Sequence, residues 1–80
     1  MNSDRQRLLS DFSPGDTVIV HSVSGDGSVS KRLMELGLVE GTTLRLVKRA
    51  PFGEPIEVKF RGSHLALRLD EAANVLVEKV

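Results

Sequence analysis

Apolar and polar residues alternate most regularly at Ile56, Val58 and Phe60, which interleave with Glu57, Lys59 and Arg61. A period of two places one set on a buried sheet face and the other in solvent. Leu65, Leu67 and Leu69 continue the pattern, alternating with His64, Ala66 and Arg68. Residues 56–60 and 64–69 therefore read as a hairpin, with Gly62-Ser63 as its hinge. Leu44 and Leu46 alternate with Thr43 and Arg45, which predicts a half-buried strand over 43–49. Thr17 to Val23 is β-branched and partly apolar on both faces, the pattern of a strand in the middle of a sheet. Val75 to Val80 is the last strand. Between it and the hairpin, Asp70-Glu-Ala-Ala-Asn74 reads as a single helical turn with Asp70 as its N-cap.

The period changes between Val29 and Leu36. Val29, Leu33 and Leu36 fall at i, i+4 and i+7, so they share one helical face. Gly37 follows, and glycine accepts the left-handed conformation that closes a helix. With Gly37 at C′, Leu38 is C″ and Leu33 is C3, the pair whose contact accompanies a Schellman cap. Gly41 suits the third position of a type II turn over Val39-Glu40-Gly41-Thr42. Gly15 suits the same position after Pro14 in Ser13-Pro-Gly-Asp16. Ser24 to Ser28 reads as a plain loop. Its Gly25-x-Gly27 lacks the rest of any phosphate-binding motif. Ala50 to Pro55 is a connecting loop, since its two prolines cannot join a ladder.

About five short strands and one helix are too few for two packed sheets, and closure removes exposed edges. The expected fold is mainly β: a small, partly open SH3-like barrel. One short α-helix follows the first strand and plugs an opening, and a helical turn precedes the last strand. The whole chain, 1–80, is expected to be one domain. Residues 1–7 are expected to be loosely ordered until Leu8, Leu9 or Phe12 anchors the chain.

Composition narrows the function classes. The 80 residues hold no cysteine, so disulfides, thiolate nucleophiles and cysteine zinc sites are excluded. No apolar run approaches the roughly 20 residues of a membrane span, and the N-terminus carries no signal-peptide core. A cytoplasmic protein is expected. Neither His21 nor His64 sits in a triad-like, HExxH or paired-carboxylate motif, so no enzyme is expected. Ferrous iron favours a set such as two His and one carboxylate. His21 and His64 lie on different predicted strands, which makes them weak candidates for a ferrous or other divalent metal site. No cofactor is expected beyond that.

Formal net charge is zero, but Arg45, Lys48, Arg49, Lys59, Arg61 and Arg68 cluster against Glu54 and Glu57. A solvated sheet face explains such a run. The alternatives are a module that binds nucleic acid or another anionic partner through Arg45, Arg49, Lys59, Arg61 and Arg68, or a weak metal-sensing domain. Recognition of a protein has other candidates. Lys31, Arg32 and Glu35 project from the helix away from Leu33. Met34 is an adaptable apolar side chain suited to an interface. Leu38, and Pro51-Phe52 in the loop, complete the expected contact set.

Four segments resemble the FeoA domain family of bacterial ferrous iron transport. They are Leu9-Ser-Asp-Phe-Ser-Pro-Gly15; Arg32-Leu-Met-Glu-Leu-Gly-Leu38 with Gly41; Ala50-Pro-Phe-Gly-Glu-Pro-Ile56; and Leu65-Ala-Leu-Arg68 with Glu71-Ala72 and Val75-Leu-Val77. Glu40 stands where the family often has proline, and Glu54 where it often has aspartate. The resemblance implies an SH3-like barrel in a cytosolic accessory role. Its partner would be a FeoB-type membrane iron permease with a GTP-binding domain, which could recruit it to the inner face of the plasma membrane. No nucleic acid is implied.

Overall fold

Strand β2 (Thr17–Val23) pairs with two neighbours, and the rest of the sheet grows outward from it. The computed structural model describes residues 6–25 and 27–80. The other strands are β1 (Gln6–Leu8), β3 (Thr43–Arg49), β4 (Ile56–Phe60), β5 (Ser63–Leu67) and β6 (Val75–Lys79). All pairings are antiparallel, in the order β1-β6-β2-β3-β4-β5. The edge strands β1 and β5 do not pair with each other, so the SH3-like barrel stays partly open. Helix α1 (Gly27–Glu35) follows β2, and the short α2 (Leu69–Ala72) precedes β6.

The alternating residues of β3 and β4 do what their period demands. Leu44, Leu46, Ile56 and Val58 are fully buried, while Thr43, Arg45 and Lys59 face solvent. They join Val18, Val20, Leu67, Val75 and Val77 in one core, with Leu9 and Phe12 anchoring the N-terminal segment. Burying each such side chain stabilises the fold by roughly 1.5–3 kcal/mol.

Two β-bulges interrupt the alternation. The β2–β6 register shifts between Val20 and Ser22, leaving His21 as the extra residue. The β3–β4 register shifts between Leu46 and Lys48, leaving Val47 extra. Each bulge reverses the parity of the strand residues beyond it. Val23 rather than Ser22 then packs on the core, which explains why β2 reads as apolar on both faces. In β3 the same reversal sends Arg49 inward. Its Nη2 donates to the carbonyls of Ser10 at 2.8 Å and Phe12 at 2.7 Å.

The end of α1 is a Schellman cap. Leu38 N–H donates to Leu33 C=O and Gly37 N–H to Met34 C=O, each at 3.0 Å. Gly37 has φ +103°, and Leu33 and Leu38 are both fully buried. Thr42 N–H closes the following turn on Val39 C=O at 3.0 Å, with Gly41 at φ +91°. The turn is sewn to β2: Val20 N–H donates to Thr42 C=O, and Gly41 N–H donates back to Val20 C=O, both at 2.8 Å. Gly15 likewise has φ +97°, with Asp16 N–H closing its turn on Ser13 C=O.

Several expectations need correction. Among the described residues the sheet has six strands, because Gln6–Leu8 pairs with Leu76–Glu78. Gln6 and Arg7 are thus strand residues; residues 1–5, which share the expectation of loose order, lie outside the described residues. Helix α1 starts at Gly27, inside the expected loop, whose Asp26 is also outside the described residues. Leu36 lies beyond the helix and is 38% exposed, because the cap turns the chain before Leu36 can reach the core. The hairpin hinge is Arg61-Gly62, with φ of 53° and 78°, one residue earlier than expected. Both positive angles suit a two-residue turn that matches strand twist. Leu69 leaves β5 to open α2. Its N-cap is Arg68 rather than Asp70, and Arg68 N–H donates to Glu71 Oε1 at 2.9 Å.

Candidate functional site

The bulge at His21 and the cap at Gly37 shape a groove between β2 and α1. His21, Ser22 and Val23 form one wall; Met34, Leu38, Val39 and Glu40 form the other, around about 260 Å³. Met34 is 50% and Val39 40% exposed. Both are where they are for backbone reasons. Met34 lies off the Leu33 face of α1, and the cap throws Val39 outward immediately after buried Leu38. Ser30 Oγ lies 3.8 Å from Met34 Sδ and steadies that side chain across one helical turn. The groove is thus apolar in its exposed contacts, with His21 and Glu40 at its polar margin.

The residues expected to contact a partner do not form one surface. Met34 lines the groove. Lys31 and Glu35 are exposed on the same short helix and, among the described residues, form no ion pair. Arg32 is exposed too, but its Nη1 is engaged by Glu71 Oε2 of α2. One carboxylate therefore holds both helices, since the other oxygen of Glu71 caps α2. Leu38 is fully buried, its position as C″ committing it to the core, and it backs the groove from within rather than standing on the surface. Phe52 is 95% exposed and Pro51 is exposed beside it. Their loop is at the Arg49–Ile56 end of the β3–β4 hairpin, whereas Gly37 approaches Phe60 at the other end. Glu54 ties the loop to α2 by accepting Leu69 N–H at 2.8 Å. Pro51-Phe52 and the α1 groove are two separate places on the surface.

His21 and His64 are not brought together. His21 stands at the β2 bulge, and His64 lies on β5 with Nδ1 3.7 Å from Glu57 Oε2. Among the described residues, no three of His, Asp and Glu converge on one point. The expected basic face also breaks up. Arg49 turns inward, Arg68 lies 3.9 Å from Asp70 Oδ1, and Arg61 occupies the hairpin turn. Arg45 and Lys59 remain together, directly paired across β3 and β4. Val39 and the His21 bulge are the parts of the groove that sequence reasoning missed. The one available signal was a polar His inside a strand apolar on both faces.

The FeoA domain model matches residues 7–79. The chain belongs to the FeoA domain family. It is 33% identical over 72 residues to a Porphyromonas gingivalis Fe(2+) transport protein A/Fe(2+) transporter FeoB fusion protein. That alignment takes in 90% of this chain and 8% of the fusion protein. Among solved structures it is similar to FeoA from Chlorobium tepidum, with 41% identity and a TM-score of 0.84, covering 91% of this chain and 70% of that one. It is also similar to Stenotrophomonas maltophilia FeoA complexed with zinc, described as a prokaryotic SH3 domain protein. There identity is 35%, the TM-score 0.77, and coverage 89% and 88%. FeoA is thus a family of small SH3-like domains associated with ferrous iron transport. No described helix of this member is long and apolar enough to cross a membrane.

Proposed function

We propose that this FeoA domain is a non-enzymatic, cytoplasmic regulator of ferrous iron uptake that binds the GTP-binding part of a FeoB-type permease. The observation that carries the reading is the Porphyromonas gingivalis relative, in which a FeoA segment is fused to FeoB in one chain. Fusion keeps two domains at high effective concentration, which favours a contact between them. The groove between β2 and α1 supplies a fitting surface. Met34 and Val39 offer adaptable apolar contact, Glu40 lies at the groove's margin, and Lys31 and Glu35 are exposed on the same helix as Met34. Phe52 is a second anchor only if the partner reaches past α2.

The test is calorimetric titration against the cytosolic domain of the permease in its empty, GDP and GTP states. A Met34→Asp, Val39→Asp double variant is expected to lose affinity by tenfold or more, while Arg49-side variants bind normally. Equal binding by wild type and the double variant rejects the groove. Absence of binding in every nucleotide state rejects the function. A Phe52→Ala variant reports whether the contact extends to the second anchor.

A further inference from the structure

Two neighbouring rungs on the outer face of β3, β4 and β5 have opposite electrostatic design. In one, Lys48 faces Glu57, which faces Ala66. Cation and acid are opposed in register, so the rung is balanced in charge, although the Glu57 carboxylate leans toward His64, with Oε2 3.7 Å from Nδ1. In the other, Arg45 faces Lys59, and Lys59 faces His64. Like charges directly opposite each other destabilise a sheet. Here the arrangement is not relieved from within: among the described residues neither Arg45 nor Lys59 pairs with a carboxylate. The Val47 bulge lies beside this rung, and a hollow of about 290 Å³ opens there. Gly15, Arg45, Leu46, Val47, Lys59 and His64 line it, and among the described residues no acidic side chain does.

We infer that this hollow binds a compact, multiply charged oxyanion of the phosphate class, held between the Arg45 guanidinium and the Lys59 ammonium. Arginine supplies a planar fork and lysine a compact point charge, a pair suited to tetrahedral oxyanions. His64 turns Nδ1 toward Glu57 and keeps its other ring nitrogen for the ligand. The ligand is a small group rather than a nucleic-acid strand. Among the described residues the hollow has no aromatic lining on which bases could stack, and the chain as a whole carries no net charge to draw in a polyanion. The site is independent of the α1 groove.

The experiment is a titration of isotope-labelled protein with inorganic phosphate and with pyrophosphate, followed by amide resonances at constant ionic strength set with sodium chloride. Saturable shifts are expected at Gly15, Arg45, Lys59 and His64, with pyrophosphate several-fold tighter than phosphate. Arg45→Gln and Lys59→Gln should each weaken binding by about tenfold or more, the loss of one charge-assisted hydrogen bond. Lys48→Gln, on the balanced rung, should bind as wild type. Well-dispersed spectra of each variant show that the fold is kept. Equal affinity for pyrophosphate and a nucleoside diphosphate identifies a free phosphate group as the ligand. Capture on phosphatidic acid vesicles that pyrophosphate competes away identifies a lipid headgroup. Linear shifts that sodium chloride alone reproduces, or saturable binding that survives both substitutions, overturn the inference.

Discussion

The ring of Phe60 occupies the space beside Gly37. A Cβ added to Gly37 would lie 3.0 Å from Phe60 Cε2, and the glycine already holds φ +103°. The residue that stops α1 is therefore also the point where the helix exit meets β4. Two penalties attend a side chain there: left-handed backbone strain of about 1–3 kcal/mol, and displacement of a core ring. Gly37→Ala should destabilise by at least the strain term in urea unfolding. Phe60→Leu, in the same background, should recover part of the contact penalty and leave the strain, so the two substitutions will be non-additive.

The Schellman cap also separates two leucines that share a helical face in sequence. Leu33 is fully buried and Leu36 is 38% exposed. Leu33→Ala should cost about 2–5 kcal/mol. Leu36→Ala should cost under about 1 kcal/mol, in the range of substitutions at the surface. Similar midpoint shifts for the two in denaturant would mean that α1 docks by a different face.

Arg49 is a structural residue despite its charge. Its guanidinium bridges the carbonyls of Ser10 and Phe12 and so fastens the N-terminal segment to β3. Hydrogen bonds from a charged donor contribute about 1.5–3 kcal/mol. Arg49→Met should lose roughly that much stability in urea unfolding while leaving oxyanion binding unchanged. Lysine at this position should rescue only in part, because its ammonium ends one bond short of the Nη2 position that meets both carbonyls.

Asp16 ties the first turn to the last strand. Its carboxyl is held below its ordinary value chiefly by Ser13 N–H, which donates to Oδ2 at 2.9 Å, against an opposing effect of desolvation. Lys79 Nζ, 3.6 Å from Oδ1, lowers it further. A carboxylate whose folded pKa is depressed contributes stability above the unfolded pKa and loses it as pH falls through the folded one. Asp16→Asn should therefore be less stable than wild type at neutral pH by a constant margin. The gap should begin to narrow near about pH 4, where aspartate in the unfolded chain takes up its proton first, and vanish once pH has fallen through the folded value. Chemical unfolding of both proteins between pH 7 and pH 2.5 measures it.

Strand spans were legible because their signal is local. Thr17–Val23, Thr43–Arg49 and Ile56–Phe60 begin and end where alternation and turn residues place them. The cap at Gly37 was legible for the same reason, since its hydrogen bonds join residues at most five apart. Strand β1 was not, because Gln6-Arg7-Leu8 has no period of its own and is extended only by pairing with β6. The candidate groove was half legible. Met34 followed from helical spacing, but its facing wall comes from a bulge that exists only in the register of β2 against β6.

By itself, then, the sequence determined the spans of β2, β3 and β4 and the cap that stops α1, because each depends on neighbours a few bonds away. Tertiary structure alone decided which charges meet. It turned Arg49 inward past the Val47 bulge, gave Arg32 to Glu71, buried Leu38 and stationed Phe52 away from the groove. It also set Arg45, Lys59 and His64 side by side on three strands. The physical reason is that cross-strand register, not distance along the chain, fixes which side chains share a rung. A single extra residue in one strand is enough to change the answer for every side chain beyond it.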